Sequence, residues 1–147
     1  MLKFVEEKEY LDTIRFLNEE LNLETGFKPE ITHRKNSLKN FFVKMISEDW
    51  TDTLQGIISA ELYETKKGYF LSVDTLYVTP ENRGNKYGEI LILNLLNHVK
   101  DKCKNLENNR EIVAISNVNL KALKSFKENG FEVGAELKNR IKVSKIL

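Results

Sequence analysis

The chain has 147 residues, a length that suits one domain and can enclose a sizeable core. Its 41% hydrophobic and 31% charged residues exclude a disordered chain, and 23 basic against 22 acidic side chains leave no bulk field to attract nucleic acid or an anionic membrane. A single cysteine, Cys103, excludes an internal disulfide, and no apolar run approaches the roughly 20 residues that span a bilayer.

The first residues, Met1-Leu2-Lys3-Phe4-Val5-Glu6-Glu7, lack the apolar stretch of a signal peptide, so the expectation is a cytoplasmic protein. Leu2 to Val5 reads as a short strand. Glu6 to Leu23 carries apolar residues at Tyr10, Leu11, Ile14, Leu17 and Leu21, the spacing of an amphipathic helix. Gly26 can stop it, and Pro29 suits the first turn of a second, shorter helix through about Lys39. Phe41, Val43 and Met45 then alternate with Phe42, Lys44 and Ile46, a strand period. Gly56 to Thr65 and Tyr69 to Val78 are two further strands, joined by the hairpin loop Lys66-Lys67-Gly68. After the turn residues Thr79 to Gly84 comes an apolar helix from about Gly88 to Lys104, with Leu91, Leu95 and Val99 along one face. Ile112 to Ile115 is a buried strand, parallel to the strand before the helix because a strand, helix and strand form a right-handed crossover. Asn117 or Asn119 caps a last helix that ends at a left-handed Gly130. Phe131 to Leu137 and Ile141 to Ile146 close as a hairpin. The order is β-α-α-β-β-β-α-β-α-β-β: an α/β fold with a mixed, mostly antiparallel sheet flanked by helices, in a single domain over residues 1–147.

The segment richest in chemistry is Leu76-Tyr77-Val78-Thr79-Pro80-Glu81-Asn82-Arg83-Gly84-Asn85-Lys86-Tyr87-Gly88-Glu89, where a strand ends and a long helix begins. A helix N-terminus offers N–H groups with no internal partner, and its dipole favours negative charge. Glycines let backbone approach a phosphate, and Arg83 adds a fixed cation. A pyrophosphate fits that description; a plain strand-to-helix turn fits the spacing equally well. The segment lacks the Gly-Lys-Ser/Thr ending of a P-loop and a full G-x-G-x-x-G, which argues against a nucleotide.

Pro80 to Gly88, preceded by Leu76-Tyr77-Val78, resembles the acetyl-CoA motif of the GNAT superfamily of N-acetyltransferases: Arg or Gln, two residues, Gly, one residue, then Gly or Ala. Arg83 and Gly88 fill the outer positions, and Lys86 stands where the family usually has a glycine, a departure that is tolerable if left-handed geometry is unnecessary there. Asn119-Leu120-Lys121-Ala122, then Phe126, then Gly130-Phe131, resembles the family's C-terminal motif. The resemblance covers about the whole chain and is clearest from Leu71 to Phe131. It implies direct transfer from acetyl-CoA to an amine of a small molecule or a protein, without an acyl-enzyme. Arg83, Gly84, Asn85, Lys86, Tyr87, Gly88 and Glu89 would hold the pyrophosphate. The main chain of Leu76, Tyr77 and Val78 would pair with the pantetheine arm where two parallel strands splay. An N–H near Val78 would polarise the thioester carbonyl. Asn119 would contact the cofactor arm, cap a helix, or both.

In the resemblance Asp74 is the base or water-orienting group, against an ordinary solvent-facing strand residue; Glu61 is a weaker candidate. A tyrosine usually assists the thiolate from the position held here by Phe126, which cannot donate a proton. Tyr77 and Tyr87 are the nearest substitutes in sequence, with packing or cofactor stacking as their plainer roles. His33, on the second helix, is a candidate acceptor contact, whereas His98 is expected at the surface and Cys103 as a small, at least half-buried apolar residue. No Cys/His/carboxylate spacing fits a metal. A homodimer is plausible because final strands in the family often pair between subunits. Phe126 and Lys86 also keep open a GNAT-fold module that binds acyl-CoA or a partner and transfers slowly or not at all.

Overall fold

A computed structural model describes residues 1–19, 34–49, 51–106 and 111–147. Alternating and helical periodicities in the sequence become β1 (Leu2–Phe4), α1 (Glu7–Glu19), β2 (Ser37–Ile46), β3 (Leu54–Thr65), β4 (Gly68–Val78), α2 (Tyr87–Lys102), β5 (Ile112–Val118), α3 (Leu120–Lys127), β6 (Glu132–Leu137) and β7 (Arg140–Ile146). The seven strands among the described residues form one sheet in the order β1-β2-β3-β4-β5-β7-β6. Every neighbouring pair is antiparallel except β4 with β5, which run parallel across the α2 crossover. The fold is the mixed, mostly antiparallel α/β sheet that the sequence implies. Several boundaries differ by a few residues, β5 for instance running on to Val118, and one segment changes type: Ser37 to Lys39 begin β2, where helix was expected, because their backbone pairs with Leu62 and Tyr63 of β3. Residues 34–36 of that expected helix are loop and turn, and residues 29–33 lie outside the described residues.

Strand alternation gives the sheet two unlike faces. Phe41, Val43 and Met45 of β2, Ile58, Ala60 and Leu62 of β3, and Tyr69, Leu71 and Val73 of β4 share the main core with Leu91, Ile92, Leu95, Leu96 and Val99 of α2. On the opposite face Tyr10, Ile14 and Leu17 of α1 cover Phe42 and Ile57 in a smaller cluster. The α1 positions i, i+4 and i+7 form one stripe, which explains why a helix with several charges packs stably. Among the described residues no helix is long and apolar enough to cross a membrane.

His98 is not a surface residue. It is half-buried on α2, stacked on Phe4 of β1 at 3.9 Å between ring centroids and edge-on to Phe41 at 5.8 Å. Burial, then Lys102 and Lys39, hold its imidazolium pKa below 6.5, against the opposing charge of Asp101. The folded state therefore binds fewer protons here than the unfolded chain. This contribution to stability is complete above the unfolded value and is lost as pH falls through the folded one. His98→Gln should abolish that part of the acid sensitivity: the difference in Tm between wild type and variant should change between pH 7.5 and pH 5. A constant difference across that range would contradict a lowered pKa at the half-buried His98.

Candidate functional site

The sheet opens where its two parallel strands part. β4 pairs with β5 from Tyr69–Ile112 to Ser72–Ile115, and beyond that point the ladder ends although β4 runs on to Val78 and β5 to Val118. The Ser116 hydroxyl bridges the first gap by donating to Val73 O at 2.7 Å. A β-bulge at the same level adds a residue to β4: Ala60 pairs with Val73 and Ser59 with Thr75, leaving Asp74 as the extra one. The bulge reverses the parity of the strand. Leu76 and Val78 thus turn to the α2 side and Tyr77 to the α1 side, where it packs beside the smaller cluster. Thr79 N–H donates to Gln55 O of β3 at 3.0 Å, so the carbonyl of the same peptide, Val78 O, faces the opening. By alternation the main-chain groups of Leu76 face it too.

The loop that follows is held by its own hydrogen bonds. Thr79, almost wholly buried, donates its hydroxyl to Gln55 O at 3.2 Å and accepts from Asn82 Nδ2 at 2.6 Å. Asn82 N–H returns to Thr79 O at 2.9 Å, forming one 3-10 turn over Pro80–Asn82. Arg83 is exposed; its Nε donates to Val78 O at 3.0 Å and its guanidinium lies 5.7 Å from the centre of the Tyr77 ring. Gly84 has φ +87° and open space where a Cβ would stand. The first intrahelical bond of α2 runs from Ile90 N–H to Lys86 O at 3.1 Å, which leaves the N–H groups of Tyr87, Gly88 and Glu89 without a partner inside the helix. Asn85 is exposed and donates Nδ2 to Asn82 O. Gly88 lets α2 and α3 pack closely, since a Cβ there would sit 2.9 Å from Ser125 Oγ on α3.

Lys86 corrects the sequence reading. It takes φ +62° and ψ +19°, the left-handed conformation, and so bears the strain a glycine would avoid. Such a residue costs about 1–2 kcal/mol, and glycine returns roughly 0.5–1 kcal/mol of that through unfolded-chain entropy. Lys86→Gly should therefore raise Tm by about 2 °C. A melt showing no rise, or a fall, would contradict strain at this position.

On the α1 side of the opening lies a cleft of about 240 Å³ lined by Arg34, Ser72, Asp74, Ser116, Asn117 and Lys142, among others. Asp74 is an exposed residue of that lining. Burial raises its pKa, against the Ser72 hydroxyl, which donates to Oδ1 at 2.6 Å; Arg34 lowers it and Glu61 raises it less strongly. Glu61 is a different group altogether. It is buried, accepts from Arg34 N–H at 3.2 Å and is ion-paired with the Arg34 guanidinium. Its own burial pushes its pKa up, but the Arg34 N–H, the Ser37 hydroxyl and the Arg34 side chain together hold it below the ordinary value. Glu61 is thus kept ionised and occupied, which suits it to fixing Arg34 and not to taking a proton.

Asn119 caps α3, its Oδ1 accepting from Ala122 N–H at 2.9 Å. Phe126 is a core residue, edge-on to Phe131 at 5.0 Å. Tyr87 lines a separate groove with Met1, Met45, Gln55 and Ile90, away from the Asp74 cleft. Cys103 is half-buried, its thiol pKa raised by burial, in keeping with an apolar role. His33 lies outside the described residues. Among the described residues no group of three or more His, Cys, Asp or Glu is placed to hold a metal. Sequence reading missed Arg34, Ser72, Ser116, Asn117 and Lys142 as cleft residues. Strand parity carried part of that signal, since Asn117 and Lys142 are register partners on β5 and β7.

A family model described as the acetyltransferase (GNAT) family matches residues 6–131. Solved structures share the fold at low identity. Naa50 of Arabidopsis thaliana, in complex with the bisubstrate analogue CoA-Ac-MVNAL, is 24% identical with a TM-score of 0.59, over 99% of this chain and 97% of that one. The PaiA N-acetyltransferase of Thermoplasma acidophilum, in complex with coenzyme A, is 18% identical with a TM-score of 0.56, over 97% and 81%. An aminoglycoside acetyltransferase from an uncultured soil metagenomic sample, in complex with trehalose, is 11% identical with a TM-score of 0.65, over 94% and 91%. No curated protein matches the chain in sequence.

Proposed function

This chain belongs to the acetyltransferase (GNAT) family, and we propose that it transfers an acetyl group from acetyl-CoA directly to an amine. The observation that carries the reading is the meeting of three features at one opening: the end of the β4–β5 ladder beyond Ser72 and Ile115, the Arg83 loop leading into the N-terminus of α2, and the Asp74 carboxylate on the cleft. The residues present fit the donor molecule. Arg83 and the N–H groups of residues 84–89 would take its pyrophosphate, Gly84 leaving room for close approach. Leu76, Tyr77 and Val78 lie along the strand that would receive the pantetheine arm, Leu76 and Val78 turning main-chain groups to the opening. Acetyl-CoA supplies the activated acetyl thioester. Val78 N–H would polarise the thioester carbonyl, and Asp74 would accept the proton of the incoming amine from the cleft side. No tyrosine stands at position 126, so the reading includes a thiolate that leaves without help from that position.

A thermal melt tests the donor site. Ligand at about 100 times its Kd stabilises the fold by roughly 2.7 kcal/mol, a shift of several degrees at this size. Acetyl-CoA and CoA should give that shift, and ATP and NAD should not. No shift with acetyl-CoA would remove the donor assignment. Phe126 and the strained Lys86 favour one second reading, a module that binds acyl-CoA but transfers weakly. Thiol release over an amine panel separates the two, because a binding module releases no CoA above background.

A further inference from the structure

The cleft around Asp74 presents both signs of charge: Arg34 and Lys142 line it together with Asp74, and Glu61 pairs with Arg34. Glu61 of β3, Ser72 and Asp74 of β4, Asn117 of β5 and Lys142 of β7 lie on the sheet face opposite α2, and Arg34 stands just before β2. Arg34 is locked in place by Glu61 and by its guanidinium lying 4.5 Å over the Tyr63 ring, yet its side chain remains 42% exposed. Glu61 pairs with that guanidinium from its buried side, so the outer side of Arg34 is the part open to the cleft. Lys142 is exposed and forms no ion pair among the described residues. Its register partner Asn117 offers further hydrogen-bonding capacity beside it. An ammonium is drawn to Asp74 but repelled by Lys142, whereas a molecule with both signs of charge satisfies both walls.

Resting on the acetyl-transfer reading, we infer that the acceptor is a small amine that bears a carboxylate within a few bonds of its nitrogen, as a free α-amino acid does. Its nitrogen lies toward Asp74, and its carboxylate lies toward Lys142 and the outer side of Arg34. A peptide N-terminus, whose neighbouring carbonyl is a neutral amide, matches this cleft less well.

The test is thiol release by the full chain with saturating acetyl-CoA, comparing free amino acids with their carboxamides and with alkylamines. The acid should exceed its own amide at least tenfold in kcat/KM. In Lys142→Gln that preference should collapse toward one, chiefly through KM for the acid, and in Lys142→Arg it should survive. Equal use of acid and amide by wild type would overturn the inference, as would a preference unaltered in Lys142→Gln. Release with alkylamines and amides but without preference for the acid overturns this inference alone. Release with no acceptor, while acetyl-CoA still raises Tm, overturns the transfer reading and this inference with it.

Discussion

Arg83→Glu should weaken acetyl-CoA binding by on the order of a hundredfold and leave the fold standing. Two unit charges about 5 Å apart in water interact by roughly 0.8 kcal/mol, and reversing one cation beside a doubly charged pyrophosphate changes four such increments, about 3 kcal/mol. The side chain is exposed, with a hydrogen bond to Val78 O and a position over Tyr77, and Arg83 is not among the residues of the main core. Loss of affinity would therefore report the anion site and not unfolding, and the variant's Tm without ligand checks this directly. S-acetylpantetheine, which has no pyrophosphate, supplies the internal control: its binding should change far less than that of acetyl-CoA. The Val78 carbonyl, held by Arg83 in this structure, also becomes available once the guanidinium turns to a phosphate. Calorimetric affinities for both thioesters decide the matter, and an unchanged Kd for acetyl-CoA in the folded variant would end the assignment of this loop.

Much of the frame was legible because it rests on local periodicity. Phe41, Val43 and Met45 announced β2, and Leu91, Leu95 and Val99 announced α2, since burial of one face writes a period into the sequence that needs no partner to be read. The loop was legible as well, for Arg83, Gly84 and the start of α2 are neighbours in the chain. What escaped depends on pairing between distant segments. The bulge at Asp74 exists only as a register shift against β3, and it sends the Tyr77 side chain to the α1 side. Arg34 and Glu61 are 27 residues apart, and nothing in either neighbourhood signals the other. His98 flanks the α2 stripe, where a helical wheel places it near the boundary; Phe4, contributed by β1, stacks on it and leaves it half-buried. Lys86 was visible as a departure from a glycine, but whether a left-handed residue was needed there depended on how the 3-10 turn feeds α2. At Ser37 to Lys39 the local pattern was too weak to outweigh a helical start at Pro29, and pairing to β3 decides the conformation.

Asp74→Asn should lower kcat by about a hundredfold or more, the usual contribution of a positioned base, with little effect on acetyl-CoA affinity. The residue sits at the bulge, where the extra residue of β4 re-aims its neighbours, and its carboxyl keeps a 2.6 Å bond from Ser72. Asparagine can still accept that bond through its side-chain carbonyl, so the substitution removes basicity and preserves position. Because burial raises the Asp74 pKa, the wild-type activity should fall as pH drops through a value above 3.8, and the variant should lack that limb. Stability moves the other way. A carboxyl whose folded pKa is raised destabilises the native state at neutral pH, and the neutral amide relieves that cost, so the Tm of Asp74→Asn should equal or exceed that of wild type. A residue that merely supported the sheet would lose stability and activity together. Turnover that collapses while Tm holds or rises identifies Asp74 as the proton acceptor; a wild-type rate and pH profile in the variant would remove it from the mechanism.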